Sequence, residues 1–591
     1  MVLSESRIEE LAWCNPAQTE ALAILQDERL LQVSTAISRL GMQSDEAALA
    51  VAPGAYWLNQ LPAADKKAAL SHPQVAIWAD YCTAWCADPS FLQHLYYYQS
   101  VAAAAAIRAD HPFPSLTIPI QKEGAYLPGL GRAVFRNPNA AGQMAQVRYS
   151  SEGHITIAFG SETVHPPRLG EQEMRPGWQP ARFLSAGVVS VELDDSSPSF
   201  YRMTNLEGAS LAPRLTQEEF NHWAQLFEEA WDVLGTHLPQ YQESIAATLR
   251  TLVPLRSEIF RASRAQTLGS IALSLPDDPW SLGQALASDS QKNILLALDR
   301  IVPLYDHHLD QARYAVPNLS LPVSFRRQLL SLHTHTATID VLAARCKALA
   351  EGSPEYRLAF VEYTQWRDRY AELAAEVRRS PFLTTAGKVV IETLAIDQGR
   401  FSRDALHGPE EASLLARRLN FDEATCWRLR NLRPNQDQIA ALAADIMEDG
   451  DGSTPFIRQI DVTLYPDYHR ISGSYARKRL LFRDASSNRQ VHHHPGDIAL
   501  AGGLILEARR HYLDTIQDEQ PLAAAEAWAG LAMTYTEDDP DQATHRALRC
   551  FPEIVHAVYV TLASEGRYVY PLSITRRIGE LMNLTTEIVR E

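Results

Sequence analysis

The 591-residue chain has six cysteines, too few and too scattered for a disulfide framework, which fits a reducing compartment. No apolar run approaches the ~18 residues that a transmembrane helix needs, so no membrane span is expected. Positive charge is also short: 54 Lys and Arg stand against 71 Asp and Glu, a net charge of −17. Nucleic acids and anionic membranes select basic surfaces, so neither is expected as a partner. A basic peptide is compatible with this balance, as is no charge selection at all. The opening MVLSESRIEELAW is charged and amphipathic, unlike a signal peptide. The expectation is a cytoplasmic protein. GxGxxG, P-loop and GxSxG patterns are missing, which removes the familiar dinucleotide, nucleotide and serine-hydrolase sites. Gly129-x-Gly131 is read as a turn.

The composition is that of an ordinary folded chain, 46% hydrophobic and 21% charged, long enough for two or three domains. Residues 1–114 are predicted to be helical, with Leu, Trp and Ala recurring at three- and four-residue spacing up to the alanine run Ala102–Ala106. Pro112 and Pro114 break that pattern. Residues 115–210 read as a strand-rich section, a curved sheet. There Leu116-Thr117-Ile118, Gln146–Tyr149, His154–Ala158 and Val188–Leu193 alternate or cluster β-branched residues between Gly and Pro turns. Helices are predicted to resume at a capping box, Thr216 with Glu219, and to make up almost all of 211–447. Glu448–Pro455, EDGDGSTP, reads as a linker into a mostly helical 448–591, with a short hairpin expected from Gln459–Tyr465 and Lys478–Phe482. The expected fold class is mainly α with a strand-rich section, α+β.

Several side chains are candidates for chemistry. Ile294, Leu295, Leu298, Ile301 and Val302 form an apolar stripe at helical spacing. Ser288 falls inside that stripe and Lys292 at its margin. Asp289 lies three residues before Lys292, at ion-pair spacing. Cys82 and Cys86 are four apart on a predicted helix, but no second pair stands at zinc-finger spacing, so they read as two packed or surface thiols. Histidines cluster at His307-His308, at His333 and His335, and at His492, His493 and His494. Two apart on a helix, His333 and His335 face different directions and cannot share one metal ion. Either can be a lone ligand or an ordinary polar helix residue. The His492–His494 loop, with Glu507 and His511 on the following helix, has the ligand types of a His/carboxylate metal site.

The stretch Ser263–Tyr305, SRAQTLGSIALSLPDDPWSLGQALASDSQKNILLALDRIVPLY, resembles the HExxH-motif family of peptide-modification proteins, the αKG-HExxH-type peptide β-hydroxylases. In that family a GAIALSLP–D segment leads into a helix of the form LVHEFQHxKLxALLDLVPL. Leu286-Ala287, and Leu295–Leu298 through Ile301-Val302-Pro303-Leu304, keep the frame. The two histidines fall on Ser288 and Lys292, and the glutamate falls on Asp289. Other pieces keep the family's order. Leu127–Gly131 resembles LPxLG. Leu193-Asp194-Asp195 with Pro198 and Tyr201-Arg202 resembles LDDxDPYR. Leu215-Thr216 through Trp223 and Ala230-Trp231 resembles LSxxExxxW…AW. Glu362-Tyr363, Trp366-Arg367, Leu383-Thr384 and Gly387 resemble FAxWR…LTxxG. Trp427–Asn431 with Pro434 resembles WRxRNxxP, and Ala527-Trp528, Leu531 and Pro552-Glu553 resemble AWxxLA…PE.

The resemblance implies a helical hydroxylase-like core over 211–447 whose metal site is degenerate. Two histidines four apart on a helix can share a metal, and a third ligand leaves positions open for 2-oxoglutarate and oxygen. A serine hydroxyl is a poor ligand at neutral pH, and a lysine ammonium repels a dication. No metal or cofactor is therefore expected at Ser288, Asp289 and Lys292. A further departure is Tyr314–Leu319, where the family's APWR-DPRP segment would supply an arginine able to hold a carboxylate. What the resemblance implies for function is a member of a system that modifies ribosomally made peptides. It would be a pseudoenzyme that binds the precursor peptide or pairs with a peptide-modifying enzyme, as a homo- or hetero-oligomer. Two alternatives stay open. One is altered chemistry in the same pocket, with Lys292 as base or Schiff-base former. The other is a hydroxylase that keeps Fe(II) and 2-oxoglutarate with ligands from His333, His335, His493, His494 or His511.

Overall fold

The computed structural model describes residues 3–14, 17–84, 91–122, 124–137, 139–169, 171, 175–198, 209–257, 267–309, 322–403, 405–448, 460–462, 494–518, 525–536 and 539–588. Contacts divide the chain into two compact units. The first comprises Met1–His307, Leu332–Ala344 and Leu383–Arg400, and the second His308–Ser331, Arg345–Phe382 and Phe401–Glu591.

The first unit opens with helices α1 (Glu5–Ala12), α2 (Gln18–Gly41), α3 (Asp45–Gln60), α4 (Ala63–Leu70), α5 (Pro73–Ala84), α6 (Phe91–Leu95) and α7 (Tyr97–Arg108). The alanine run explains α7. Every residue from Tyr97 to Ile107 is buried, which small side chains permit because neighbouring backbones come close. Gly54 on α3 marks one such approach, where an added Cβ would lie 3.1 Å from the Tyr98 carbonyl oxygen. The expected break follows, and a seven-stranded antiparallel sheet begins. Its strands are β1 (Phe113–Gln121), β2 (Gly124–Leu127), β3 (Gly131–Ala133), β4 (Met144–Tyr149), β5 (Ile155–Phe159), β6 (Glu162–Val164) and β7 (Trp178–Pro180), in the order β6-β5-β4-β1-β2-β3-β7. This sheet shares one apolar core with α2–α7.

A second sheet carries β8 (Arg182–Ala186), β9 (Val189–Leu193), β10 (Ala209–Leu211), β11 (Thr251–Ser257) and β12 (Ser270–Ser274). Here β11 runs parallel to both β9 and β12. Helices α8 (Gln217–His237), α9 (Pro239–Thr248) and α10 (Pro279–Ile301) pack with it around a second core that also takes Ala337, Val341 and Ala344. The Thr216–Glu219 capping box is present. The almost wholly helical reading of 211–447 is corrected by β11 and β12, and by a short strand at Leu432–Pro434. Ser270–Ser274 is buried at every position, so its sequence shows a short apolar run without the alternation that betrays a half-exposed strand.

The chain continues through α11 (Phe325–Ala348), α12 (Pro354–Arg378), α13 (Thr385–Arg403), α14 (Glu410–Asn431), β13 (Leu432–Pro434), α15 (Gln436–Met447) and β14 (Ile460–Val462). Strand β14 falls within the expected first strand Gln459–Tyr465 and pairs antiparallel with β13; the other half of the expected hairpin, Lys478–Phe482, lies outside the described residues, as does 449–455 of the linker. Helices Pro495–Ala501, Ile505–Asp518, Ala525–Met533, Gln542–Cys550, Pro552–Ser564 and Pro571–Ile588 complete the second unit. They share a core with α14 and α15. Among the described residues no helix is long and apolar enough to cross a membrane.

Candidate functional site

Helix α10 starts where its sequence dictates. Asp278 caps it, accepting a hydrogen bond from the Ser281 amide at 3.1 Å, and Pro279 occupies the first turn. The apolar stripe read from the sequence understates its burial. Residues 285–291 and 293–299 are all buried, and Lys292 interrupts the run. Ser288 and Asp289 are therefore interior. The Ser288 hydroxyl reaches only the Ala285 carbonyl, at 3.4 Å.

Lys292 Nζ donates to Asp289 Oδ1 at 2.7 Å, with side chains 18% and 5% exposed. The lysine is thus drawn inward to its partner and is not a solvated surface cation. Asp289 Oδ2 is buried without a hydrogen-bond partner. Burial pushes the Asp289 carboxyl above its ordinary range, and the charge and hydrogen bond of Lys292 work against that rise.

His333, on α11, comes to the same helix. Its Nε2 is 3.0 Å from the Ala12 carbonyl oxygen, and its Nδ1 is buried without a hydrogen-bond partner. Complete burial pushes its pKa down to about 4, outweighing the opposing effect of the Ala12 carbonyl. The ring is neutral at pH 7, so Nε2 carries the proton and donates. His335, two residues on, is buried as well.

Beside them lies a polar group that the sequence reading missed. Gln18 Nε2 donates to Gln291 Oε1 at 3.1 Å, and the Ser244 hydroxyl donates to Gln18 Oε1 at 2.9 Å. Gln291 Nε2 donates to Ser244 Oγ at 3.2 Å. Asn293 Nδ2 donates to the Ser270 carbonyl at 2.9 Å, tying α10 to β12. The available signal was the run of polar residues Ser288–Asn293 inside an apolar helix.

These donors do not suit a divalent metal. A hydroxyl, an ammonium, a carboxylate already paired with that ammonium and an imidazole committed through Nε2 do not make a ligand set. Among the described residues no group of three or more His, Cys, Asp or Glu side chains is placed to hold a metal ion. His494 serves a different purpose: it caps the helix Pro495–Ala501 by accepting from the Gly496 amide at Nδ1, 3.0 Å. Its Nε2 is 2.7 Å from Thr515 Oγ1, and its ring stacks on Tyr512. His511 pairs loosely with Glu507, at 3.7 Å. Cys82 is buried, and its thiol is pushed well above the ordinary range by desolvation. His492, His493, Cys86, Tyr201-Arg202 and Tyr314–Leu319 lie outside the described residues.

Several sequence pieces that stood far apart meet in space as joints. Thr384 Oγ1 donates to the Pro303 carbonyl at 2.7 Å and its amide to Leu304 O at 3.1 Å. Gly387 lies so close to Leu304 O that any Cβ would collide with it. The Leu127–Gly131 turn rests on Arg108, which donates to the Pro128 carbonyl at 2.7 Å. At the end of β9, Glu192 takes His72 at 3.1 Å and the Tyr126 hydroxyl at 3.0 Å. Asp194 takes Gln74 and the Ser197 amide and hydroxyl, while Asp195 takes Arg182, Arg214 and the Leu215 amide. Arg428 holds Glu553 through both of its oxygens. Each of these acids is satisfied by fixed neighbours, which marks architecture.

Comparison with protein-family models gives no match to this chain, and comparison with curated proteins gives no significant match.

Proposed function

We propose that this chain is a peptide-binding or partner subunit of a peptide-modification system and has no metal-dependent activity of its own. The observation that supports the reading is the ion pair of half-buried Lys292 with buried Asp289, at the positions where the resembled family carries a metal ligand and its neighbouring glutamate. An ammonium there supplies positive charge to the helix in place of a dication. It has no open coordination position for oxygen or 2-oxoglutarate. On this reading the helix keeps a structural and recognition role without the chemistry of a metal centre.

The test is to purify the chain with the short peptides encoded beside its gene and with any modifying enzyme encoded there. The expected result is saturable binding to a peptide or to the enzyme, with no change in peptide mass when the chain acts alone. A peptide gaining one oxygen atom from the chain with Fe(II), 2-oxoglutarate and oxygen would overturn the proposal. So would failure to bind either kind of partner.

A further inference from the structure

The last carbonyls of a helix lack partners within it. In α1 they are taken by side chains from elsewhere. The Ala12 carbonyl accepts from His333 Nε2 at 3.0 Å, and the Leu11 carbonyl accepts from Gln18 Nε2 at 3.3 Å. Beyond the helix, the Cys14 thiol donates to the Gln240 carbonyl at 3.3 Å, and Arg400 lies over the Trp13 ring at 5.5 Å. Arg400 is itself fixed by Asp340, which also accepts from the Tyr241 hydroxyl. Ile8, Leu11 and Ala12 are buried, whereas Glu5, Ser6 and Glu9 are exposed. The segment is held by one apolar face at i, i+3 and i+4 and by main-chain carbonyls, the way an amphipathic helical peptide sits in a groove. With 8 residues, α1 is too short to be a stable helix in isolation. Its helicity depends on the surface beneath.

We propose that the face of α10 and α11 under residues 4–14 is a peptide-docking cleft, and that the chain's own N-terminal segment occupies it as a displaceable strap. The cleft recognises a short amphipathic helical turn that ends in free main-chain carbonyls. His333 Nε2 and the Gln18 amide are the donors that read those carbonyls. That a foreign peptide competes for the cleft rests on the proposed peptide-binding function; release of the strap does not.

The experiment uses the full chain with a protease site inserted between Cys14 and Ala17 and cut after folding. The probe is a labelled synthetic peptide of residues 4–14. The cut segment should exchange with this peptide while the remaining chain keeps its circular dichroism and cooperative melt. His333→Ala should weaken binding of the probe about tenfold, the loss of one buried hydrogen bond, and His333→Gln, which keeps a donor, should recover most of it. A cut segment that never exchanges, or a cut chain that loses its cooperative melt, makes the segment part of the core and overturns the strap. Equal binding by both His333 variants and the parent overturns the carbonyl recognition. Either failure leaves the partner titrations of the proposed function unaffected.

Discussion

Loss of the Lys292 ammonium would strand a buried carboxylate. Asp289 Oδ2 has no hydrogen bond, and Oδ1 has Lys292. Lys292→Met should therefore cost about 3 kcal/mol at neutral pH, the scale for breaking a buried pair from one side. Asp289 would answer by holding its proton to higher pH in the folded state than its unfolded value. Its cost is then present above that raised pKa and fades as the pH falls toward the unfolded range near 4. Melts at several pH values check this, and Asp289→Asn in the Met background should restore most of the loss. His333 has the opposite sign. Its folded pKa is lowered to about 4, so between about 6.5 and 4 the unfolded chain binds a proton that the folded chain refuses. Stability should fall by about 3 kcal/mol across that window, and His333→Gln should flatten the slope. A parent and variant with parallel pH profiles would refute the assignment. The Lys292–Asp289 pair was legible, because its spacing is local. The His333–Ala12 bond joins residues 321 positions apart, and no periodicity announces such a contact.

Elements meet through backbone as much as through side chains. The start of α13 presses Gly387 against the Leu304 carbonyl that follows α10, and Thr384 bonds the same loop. Gly387→Ala should force that junction apart and cost about 3 kcal/mol, the upper range of overpacking. Thr384→Val should cost about 2 kcal/mol, because the hydroxyl donates to the Pro303 carbonyl and also accepts from the Gly387 amide. Denaturant unfolding of the two variants tests the order; a silent Gly387→Ala would show that the junction yields freely. Helices α1–α10 were readable from helical spacing, caps and proline breaks, and the antiparallel strands from alternation, as β4 shows with its buried Ala145, Val147 and Tyr149 between less buried neighbours. The parallel strands β11 and β12 were not, since burial on both faces erases alternation. Strand β14 was expected near its place, but its pairing with β13 was not. Its mate β13 is three residues long and directly follows α14, too short to register as a strand in sequence.

At the scale of the whole molecule the dominant quantity is charge. A net −17 repels polyanions and attracts cations over roughly a Debye length, about 8 Å at physiological salt. If the chain binds a peptide, the peptide's charge should set the association rate more than the dissociation rate. The measurement is stopped-flow binding of the strap peptide of residues 4–14 in two forms, one with Glu5 and Glu9 changed to Lys and one unchanged, on chain cut as above. Glu5 and Glu9 point to solvent, so their replacement leaves the docking face intact. The lysine form should associate roughly tenfold faster at low salt than at physiological salt. The unchanged acidic form should speed up as salt is added, because screening removes its repulsion. Heparin and duplex DNA should show no binding at physiological salt, for the same reason. Rates independent of salt for both peptides would mean that the acidic groups are spread without a field at the cleft. Peptide choice would then be decided by the apolar positions Ile8, Leu11 and Ala12 and by the carbonyls alone.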